Sequence, residues 1–265
     1  LGTVIPPSIT FIIYGMITGE SIGDLFLSGI VPGLIFGFML CIMVFIKSKK
    51  NGWKGDTQRA SLKEIGRLFL DTIWGLLSPV IVLGGIYSGL FTPTEAAAVA
   101  VVYSLIVGIF IYKELRLTEL KETLFSTAKT TGMILLIIMN AGIFSWVLTQ
   151  QGIAASLTEM ALALTDNRYI MLFIINIVFL CAGCVMDNTS ALYILVPIIM
   201  PIAKALDINM IQLGVILVLN LSIGQVTPPV GPNLYVAADI GKVKFEEICR
   251  RMVPLLLMSL LALLC

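Results

Sequence analysis

The stretch Gly224-Gln225-Val226-Thr227-Pro228-Pro229-Val230-Gly231 lies inside a run from Ile208 to Ala238 that contains no charged residue. The run is long enough to cross a bilayer as a helix, but two adjacent prolines flanked by glycines interrupt helical hydrogen bonding. Backbone groups freed by such a break need protein, water or ligand partners, because hydrocarbon offers none. The stretch therefore predicts a broken transmembrane helix at which something polar binds, and a purely mechanical kink is the alternative.

The composition of the chain indicates a membrane protein. Hydrophobic residues make up 58% of the 265 residues and charged residues only 12%, against about 25% charged residues in an ordinary soluble domain. Histidine is absent, which removes the commonest general base and the commonest transition-metal ligand. We therefore expect an all-α, polytopic integral membrane protein that is not an enzyme, holds no transition metal and binds no nucleic acid.

A second double-proline break opens the chain at Gly2-Thr3-Val4-Ile5-Pro6-Pro7-Ser8. A shift of 222 residues superimposes the two breaks without gaps, and the same shift matches Val31-Pro32 with Val253-Pro254. Chance alignment of apolar segments rich in Gly and Pro is the alternative. Since the downstream plan of short helix, polar stretch and new apolar run also recurs, we predict an internal repeat of the kind that transporters use.

The distribution of charge predicts opposite orientations of the two repeats in the membrane. The first span, 25–46, is followed by a loop in which basic residues far outnumber the acidic Asp56 and Glu64, so this loop is expected in the cytoplasm. The basic residues are Lys47, Lys49, Lys50, Lys54, Arg59, Lys63 and Arg67. Counting further spans at 72–91, 96–112 and 130–150 gives the two repeats opposite orientations, as an inverted repeat requires.

Shorter segments between the spans have their own predictions. Residues 61–71, 113–129 and 151–167 are expected to form interfacial helices, and the span 130–150 is expected to be interrupted near 140–142. Thr92, Pro93 and Glu95 have the spacing of a helix capping box. An ionisable residue in a transport path is the alternative for Glu95.

The run from Tyr169 to Ala203 is apolar except for Asp187-Asn188-Thr189-Ser190. Either two full spans meet in a short loop, or two half-helices form a re-entrant hairpin whose tip stays at membrane depth. Each half is at or below the lower limit for a crossing, which favours the hairpin. Its tip oxygens, together with carbonyls near Gly224 and Val226 and the Thr227 hydroxyl, are suitable ligands for a sodium ion. Helix capping is the alternative role for Asp187.

Two further features bear on the site. Cys181-Ala182-Gly183-Cys184 has the spacing of a redox or metal motif, but the lack of a second cysteine pair or of histidine favours small packing residues. An anionic substrate could be met by half-helix N-termini, whose N–H groups and dipoles favour negative charge. Leu1 is not an initiator methionine, and the hairpin that would pair with the first break is expected upstream of it.

Several of these segments resemble one known family. The segment Gly84-Gly85-Ile86-Tyr87-Ser88-Gly89-Leu90-Phe91-Thr92-Pro93-Thr94-Glu95-Ala96-Ala97-Ala98, with Gly-x-x-Thr-Pro-Pro at 224–229 and Ile5-Pro6-Pro7-Ser8, is similar to the large membrane subunit of tripartite ATP-independent periplasmic (TRAP) transporters. The resemblance implies a sodium-coupled importer of organic acids in the bacterial inner membrane that moves its substrate by an elevator motion. It also implies two partners, a small membrane subunit and a periplasmic substrate-binding protein. Substrate identity does not carry over.

The resemblance also implies a set of site residues and domains. Residues expected to bind sodium are Gly2, Thr3, Val4, Pro6, Ser8, Asp187, Asn188, Thr189, Gly224, Val226, Thr227 and Pro229. Residues expected to bind substrate are Ser8, Ser190, Pro228 and Asn233. The expected domains are 1–24 (end of the first transport repeat), 25–128 (scaffold with interfacial arms), 129–251 (second transport repeat, with hairpin 169–203 and broken helix 208–240) and 252–265 (a further scaffold span). An ion or solute channel and a non-transporting membrane scaffold are the alternative functions.

Overall fold

The computed structural model describes residues 1–53 and 61–264, and every regular element in these ranges is helical. Lys54, Asp56 and Arg59 of the predicted cytoplasmic loop lie outside the described residues, as does Cys265. The helices are α1 (Ile9–Thr18), α2 (Ile22–Asn51), α3 (Leu62–Tyr87), α4 (Pro93–Ile106, followed by a π-helical turn at Val107–Ile111), α5 (Leu117–Gln150), α6 (Ile153–Leu164), α7 (Arg168–Val185), α8 (Asn188–Ala205), α9 (Met210–Gly224), α10 (Pro232–Gly241) and α11 (Phe245–Leu264).

Six segments of the described chain are long and apolar enough to cross a membrane. They are Ile22–Asn51, Leu62–Tyr87, Pro93–Ile111, Thr118–Gln150, Arg168–Val185 and Asn188–Ala205. This confirms the predicted all-α, polytopic membrane fold. The last two segments are α7 and α8, each 18 residues long, which corresponds to about 27 Å against a hydrocarbon core of about 30 Å. The re-entrant nature of their hairpin stays a prediction, as do the inverted orientation of the repeats and the elevator motion.

The predicted division between an interfacial helix at 61–71 and a span at 72–91 is wrong. One helix, α3, runs from Leu62 to Tyr87 without interruption. The change from charged to apolar composition marks a change of surroundings along the helix, and it does not break the backbone hydrogen bonds that define a helix.

The same correction applies to the segment after α4. Residues 117–150 form one continuous helix, α5, so the separate elements predicted at 113–129 and 130–150 are joined. The predicted interruption at 140–142 is also wrong, because a single Gly costs a helix interior only about 1 kcal/mol. The predicted interfacial stretch at 151–167 does contain a separate helix, α6, and this helix packs against α8.

The chain divides into two compact units, which are described separately. The first comprises Leu1–Lys47 and Ile137–Cys265, and the second comprises Ser48–Leu136. The first unit contains both double-proline breaks and the α7–α8 hairpin. The predicted four-part division into transport and scaffold domains stays a prediction.

Within the second unit, α3 packs against α4 across the turn that joins them. Thr92 and Glu95 form the predicted capping box: the Thr92 N–H donates to Glu95 Oε2 over 2.7 Å, and the Glu95 N–H donates to Thr92 Oγ1 over 3.3 Å. The Phe91 ring fills the space beside Gly85 that a side chain would otherwise occupy. The capping interpretation of Glu95 is therefore confirmed.

The core of the first unit forms around α9, which is apolar apart from Gln212, Asn220 and Ser222. Ten residues of α9 are buried, among them Leu213, Leu217 and Leu221, as is typical of a helix enclosed by others. Helices α1, α7, α8 and α11 all pack against it. The Tyr14 hydroxyl of α1 donates to the Met210 carbonyl over 2.6 Å. Because α9 ends at the buried Gly224, the second break begins inside the unit, and Pro228, Pro229 and Val230 further along it are exposed.

The order of elements agrees with the predicted repeat. Each break is followed by a ten-residue helix, α1 or α10, and then by a long helix with an internal proline, Pro32 in α2 and Pro254 in α11. The bond between the two prolines is cis in both breaks. Helices α2 and α11 begin earlier than the predicted runs at 25 and 252, because acidic residues in their first turns favour a helix N-terminus.

Candidate functional site

The second break is an ordered loop between α9 and α10. The Thr227 N–H donates to the Gly224 carbonyl over 2.9 Å, and the Thr227 hydroxyl donates to the Ile223 carbonyl over 2.7 Å. Asn233, near the start of α10, bonds Gln225 twice, from its N–H to the carbonyl over 3.2 Å and from Nδ2 to Oε1 over 3.1 Å. The carbonyls of Gly224 and Gln225 thus have protein partners, and each keeps a second lone pair for a further ligand.

The tip of the α7–α8 hairpin is closed by Asp187. Its Oδ1 accepts a bond from the Ser190 hydroxyl over 2.6 Å and its Oδ2 accepts one from the Ser190 N–H over 3.1 Å, which makes it the N-cap of α8. Asp187 is exposed. The capping interpretation of Asp187 is confirmed, and its assignment as a sodium ligand stays a prediction.

The hairpin meets the second break through backbone atoms of Gly183 and Cys184. The Gly231 N–H donates to the Cys184 carbonyl over 3.1 Å. A Cβ added to Gly224 would lie 2.7 Å from both the carbonyl carbon and the Cα of Gly183, and 3.1 Å from the Cys184 nitrogen. Only a residue without a side chain fits there. We call this contact between Gly183–Cys184 and Gly224–Gly231 the hairpin–break joint.

Prediction from sequence missed Gly183 and Cys184 as residues of the site. The available signal was the Cys181-Ala182-Gly183-Cys184 segment, which we interpreted as packing residues. Cys184 is indeed buried and unpaired. The hairpin–break joint is made by main-chain atoms. A pattern of side chains therefore does not predict which glycines lie against each other.

Asn188 supplies a buried oxygen close to the joint along the chain. The residue is 6% exposed, and its Oδ1 has no hydrogen-bond partner among the described residues. Leaving a buried acceptor unpaired costs about 1–3 kcal/mol. A buried amide oxygen without a hydrogen-bond partner is a suitable ligand for a cation. Of the predicted tip residues, Asn188 therefore fits a sodium ion best, while Thr189 and Ser190 are half-buried.

The first break is held together by its own hydroxyls. The Ser8 hydroxyl donates to the Thr3 carbonyl over 2.5 Å and accepts from the Phe11 N–H as the N-cap of α1. Val4 and Pro6 are buried, and Gly2 is exposed. Residues 2–8 therefore form an ordered N-terminal cap on α1.

A hydrogen bond joins the first break to α9. Thr3 Oγ1 lies 2.7 Å from Ser222 Oγ. The Ser222 hydroxyl donates its proton to the Val218 carbonyl over 2.6 Å. Since one hydroxyl has one proton, Thr3 is the donor to Ser222. Ser222 lies two residues before Gly224, where the second break begins. The first break therefore contacts α9 close to the second break.

The four predicted substrate residues fall at three places. Ser8 and Ser190 belong to the N-caps of α1 and α8, and Pro228 and Asn233 are exposed at the second break. Their contact with substrate stays a prediction. Val226 and Pro229, predicted to bind sodium, are respectively half-buried and exposed in the same loop.

Within residues 1–53 and 61–264, no three His, Cys, Asp or Glu side chains come together as a metal-binding group. The hairpin tip and the second break contribute carbonyl, amide and hydroxyl oxygens. Such oxygens, offered by broken helices, are the ligands that transporters use for sodium.

Comparison with known proteins gives one family. The whole chain, residues 1–265, matches the family model described as "Tripartite ATP-independent periplasmic transporter, DctM component". The chain is 42% identical over 264 residues to a C4-dicarboxylate TRAP transporter large permease protein DctM of Pseudomonas aeruginosa, a match that covers 100% of this chain and 62% of that protein. It is 38% identical over 256 residues to the sialic acid TRAP transporter large permease protein SiaM of Vibrio cholerae, covering 97% and 60%.

A third relative is longer than the other two. The isethionate TRAP transporter permease protein DctMQ of Oleidesulfovibrio alaskensis is 39% identical over 264 residues, and the match covers 100% of this chain and 42% of that protein. The chain described here thus spans 42% to 62% of the length of these three relatives.

Proposed function

Because the chain belongs to the DctM component family of tripartite ATP-independent periplasmic transporters, we propose that it forms part of a permease that imports an organic acid anion together with sodium. The relatives are named as permeases rather than as enzymes, in agreement with the prediction from composition. Permeases of this family are inner-membrane proteins, and the six apolar helices suit that location.

The observation that carries the proposal is the hairpin–break joint. A helical hairpin and a broken helix meet through backbone atoms at Gly183 and Gly224, and the unpartnered oxygen of Asn188 lies in the same hairpin tip. We assign the sodium ion to this place. Asn188 Oδ1, a second lone pair of the Thr227 hydroxyl and main-chain carbonyls of the joint are its ligands.

We infer the substrate class, an organic acid anion, from the names of the relatives. The relatives are named for C4-dicarboxylates, sialic acid and isethionate, which are all anions at neutral pH. Sodium moving with such an anion offsets its charge and supplies the driving force for accumulation. The N-terminus of α8 offers N–H groups and the positive end of a helix dipole to that anion, whereas the first N–H groups of α10 already donate to the carbonyls of Gln225 and Gly231.

The remaining parts of the proposal concern partners and motion. A small membrane subunit and a periplasmic substrate-binding protein complete the system, and the hairpin-containing domain moves as an elevator against the rest of the permease. The resemblance of the sequence motifs to the TRAP large subunit supports both statements.

Uptake into proteoliposomes tests the function. The full-length permease, reconstituted with its small subunit and binding protein, is given a labelled organic acid with an inward gradient of sodium or of potassium. We expect accumulation above equilibrium with sodium only. Equilibration without accumulation would instead indicate a channel, and no flux of any acid tested would indicate a scaffold.

Two variants test the ion site. Thr227→Ala and Asn188→Ala are each expected to raise the sodium concentration that gives half-maximal uptake. Ser259→Ala, which removes a buried hydroxyl bonded to Leu255 within α11, is the matched control and should leave the sodium response unchanged. Unchanged sodium activation in both site variants would refute the assignment.

A further inference from the structure

A pair of asparagines joins α7 to α9, with Asn220 in the apolar core and Asn176 half-buried beside it. Asn220 of α9 is fully buried, and its Nδ2 donates to the Asn176 carbonyl over 2.8 Å and to Asn176 Oδ1 over 2.7 Å. Asn176 of α7 is held in turn, because its Nδ2 donates to the Leu172 carbonyl over 2.8 Å. We call this pair the asparagine clamp.

The asparagine clamp is not expected to increase the stability of the folded protein. Asn220 Oδ1 is buried and has no hydrogen-bond partner among the described residues. The neighbouring buried positions of α9, such as Leu217 and Leu221, are apolar. An apolar pair of similar shape in place of two hydrogen-bonded polar groups is often as stable or more stable when the groups are buried, as Asn220 is. A buried polar group that leaves an acceptor unpaired therefore needs an explanation other than stability.

The position of the clamp supplies that explanation. Asn220 precedes Gly224 by four residues and Asn176 precedes Gly183 by seven, spacings that keep each pair on one face of its helix. The faces of α7 and α9 that the clamp binds together are therefore the faces that meet at the hairpin–break joint. Hydrogen bonds also fix the direction and register of two helices, which apolar contacts alone do not.

We propose that Asn220 and Asn176 are positioning residues for the sodium site, because they hold α7 against α9 and so set the separation of Gly183 and Gly224. The proposal rests on the proposed function of the joint. It has a further consequence for the transport cycle: α7 and α9 stay together throughout, and the motion that opens the site is made elsewhere.

The first test separates positioning from stability. The double variant Asn176→Leu/Asn220→Leu in the full-length permease should keep a thermal unfolding midpoint equal to or above that of the wild type. We expect its half-activating sodium concentration to rise roughly fivefold, a change of about 1 kcal/mol in binding, while the substrate KM at saturating sodium stays constant. Ser259→Ala is the control for loss of a buried polar group.

The second test restores the clamp by a covalent bond. In a background that lacks other cysteines and retains sodium-driven uptake, Asn176→Cys/Asn220→Cys replaces the two amide groups, whose outer atoms now lie 2.7 Å apart, by thiols at the γ positions. The reduced protein should show the raised half-activating sodium concentration. Oxidation to the disulfide should return that concentration towards the wild-type value and should leave transport active.

The outcomes separate the two proposals. If the wild type accumulates acid with sodium but the leucine pair responds to sodium as the wild type does, the positioning role is refuted. A leucine pair with a lowered thermal midpoint and an unchanged sodium response also refutes it, since the clamp is then structural. Loss of transport on disulfide formation refutes the statement that α7 and α9 stay together. Failure of sodium dependence in the wild type itself refutes the proposed function.

Discussion

Gly224→Ala tests the hairpin–break joint directly. The added Cβ would lie 2.7 Å from two main-chain carbons of Gly183 and 3.1 Å from the Cys184 nitrogen. Carbon atoms not bonded to each other prefer about 3.5–4.0 Å, so the hairpin must move away from the break by about 1 Å. The atoms in the way belong to the backbone, which cannot rotate aside as a side chain can.

The size of the effect follows from that displacement. Forcing one extra methyl group into a well-packed site typically costs about 1–3 kcal/mol, and each 1.4 kcal/mol is a factor of about ten in an equilibrium constant. We expect Gly224→Ala to lower the thermal unfolding midpoint and to raise the half-activating sodium concentration on the order of tenfold. Gly183→Ala should have a smaller effect, because its Cβ would lie no closer than 3.2 Å to a neighbour.

The assay is sodium-dependent uptake in proteoliposomes together with thermal unfolding of the purified permease in sodium and in potassium. Gly142→Ala is the matched control, since this helical glycine of α5 has nothing within 4 Å of an added Cβ. It should be neutral or stabilise the protein by up to about 1 kcal/mol. If Gly224→Ala behaves like Gly142→Ala in both measurements, the joint is not where the structure places it.

The remaining predictions concern single side chains of the first unit. Asn188→Leu should remove the stabilisation that sodium gives, which is measured as the difference between thermal midpoints in sodium and potassium; an unchanged difference contradicts the proposed ligand. Asp187→Ser keeps an N-cap for α8 while it removes the carboxylate, so we expect stability within about 0.5 kcal/mol of wild type. If Asp187 is a sodium ligand, as predicted from the sequence, the half-activating sodium concentration rises, and an unchanged concentration leaves Asp187 with its capping role alone. Thr3→Val and Ser222→Ala should show a coupling free energy of about 0.5–1.5 kcal/mol in a double-mutant unfolding cycle; additive effects would mean that their hydroxyls do not interact.

Much of the fold follows from local sequence features. The double prolines at both breaks, Asp187 at the hairpin tip and the capping box at Thr92 each act over a few residues, and the structure has breaks or helix starts at all of them. The repeat could be predicted because matching prolines and glycines recur at one fixed shift. These signals depend on backbone chemistry that is the same in any surroundings.

Helix ends without a breaker could not be predicted. Helices α3 and α5 continue through changes from charged to apolar composition, since composition reports the surroundings of a helix rather than its hydrogen bonding. The interruption expected at 140–142 did not occur for the same reason that a lone glycine seldom ends a helix.

The composition of the site was only partly predictable. Gly224 was predicted from its own break, whereas Gly183 and Cys184 enter the site through contacts with residues more than forty positions away. Asn176 and Asn220 likewise meet across two helices. Such pairings depend on how helices are packed, and a single sequence contains no local sign of them.

The contact between Gly183 and Gly224 also bears on how permeases of this kind can diversify. Its demand on the sequence is confined to two positions without side chains, while the carbonyl and amide groups that meet there are common to all residues. Side chains around the joint, other than those of the proposed ligands Asn188 and Thr227, can therefore change while the main-chain contact is retained. Under the proposed function, one scaffold can in this way serve many cargoes while the proposed sodium site is kept.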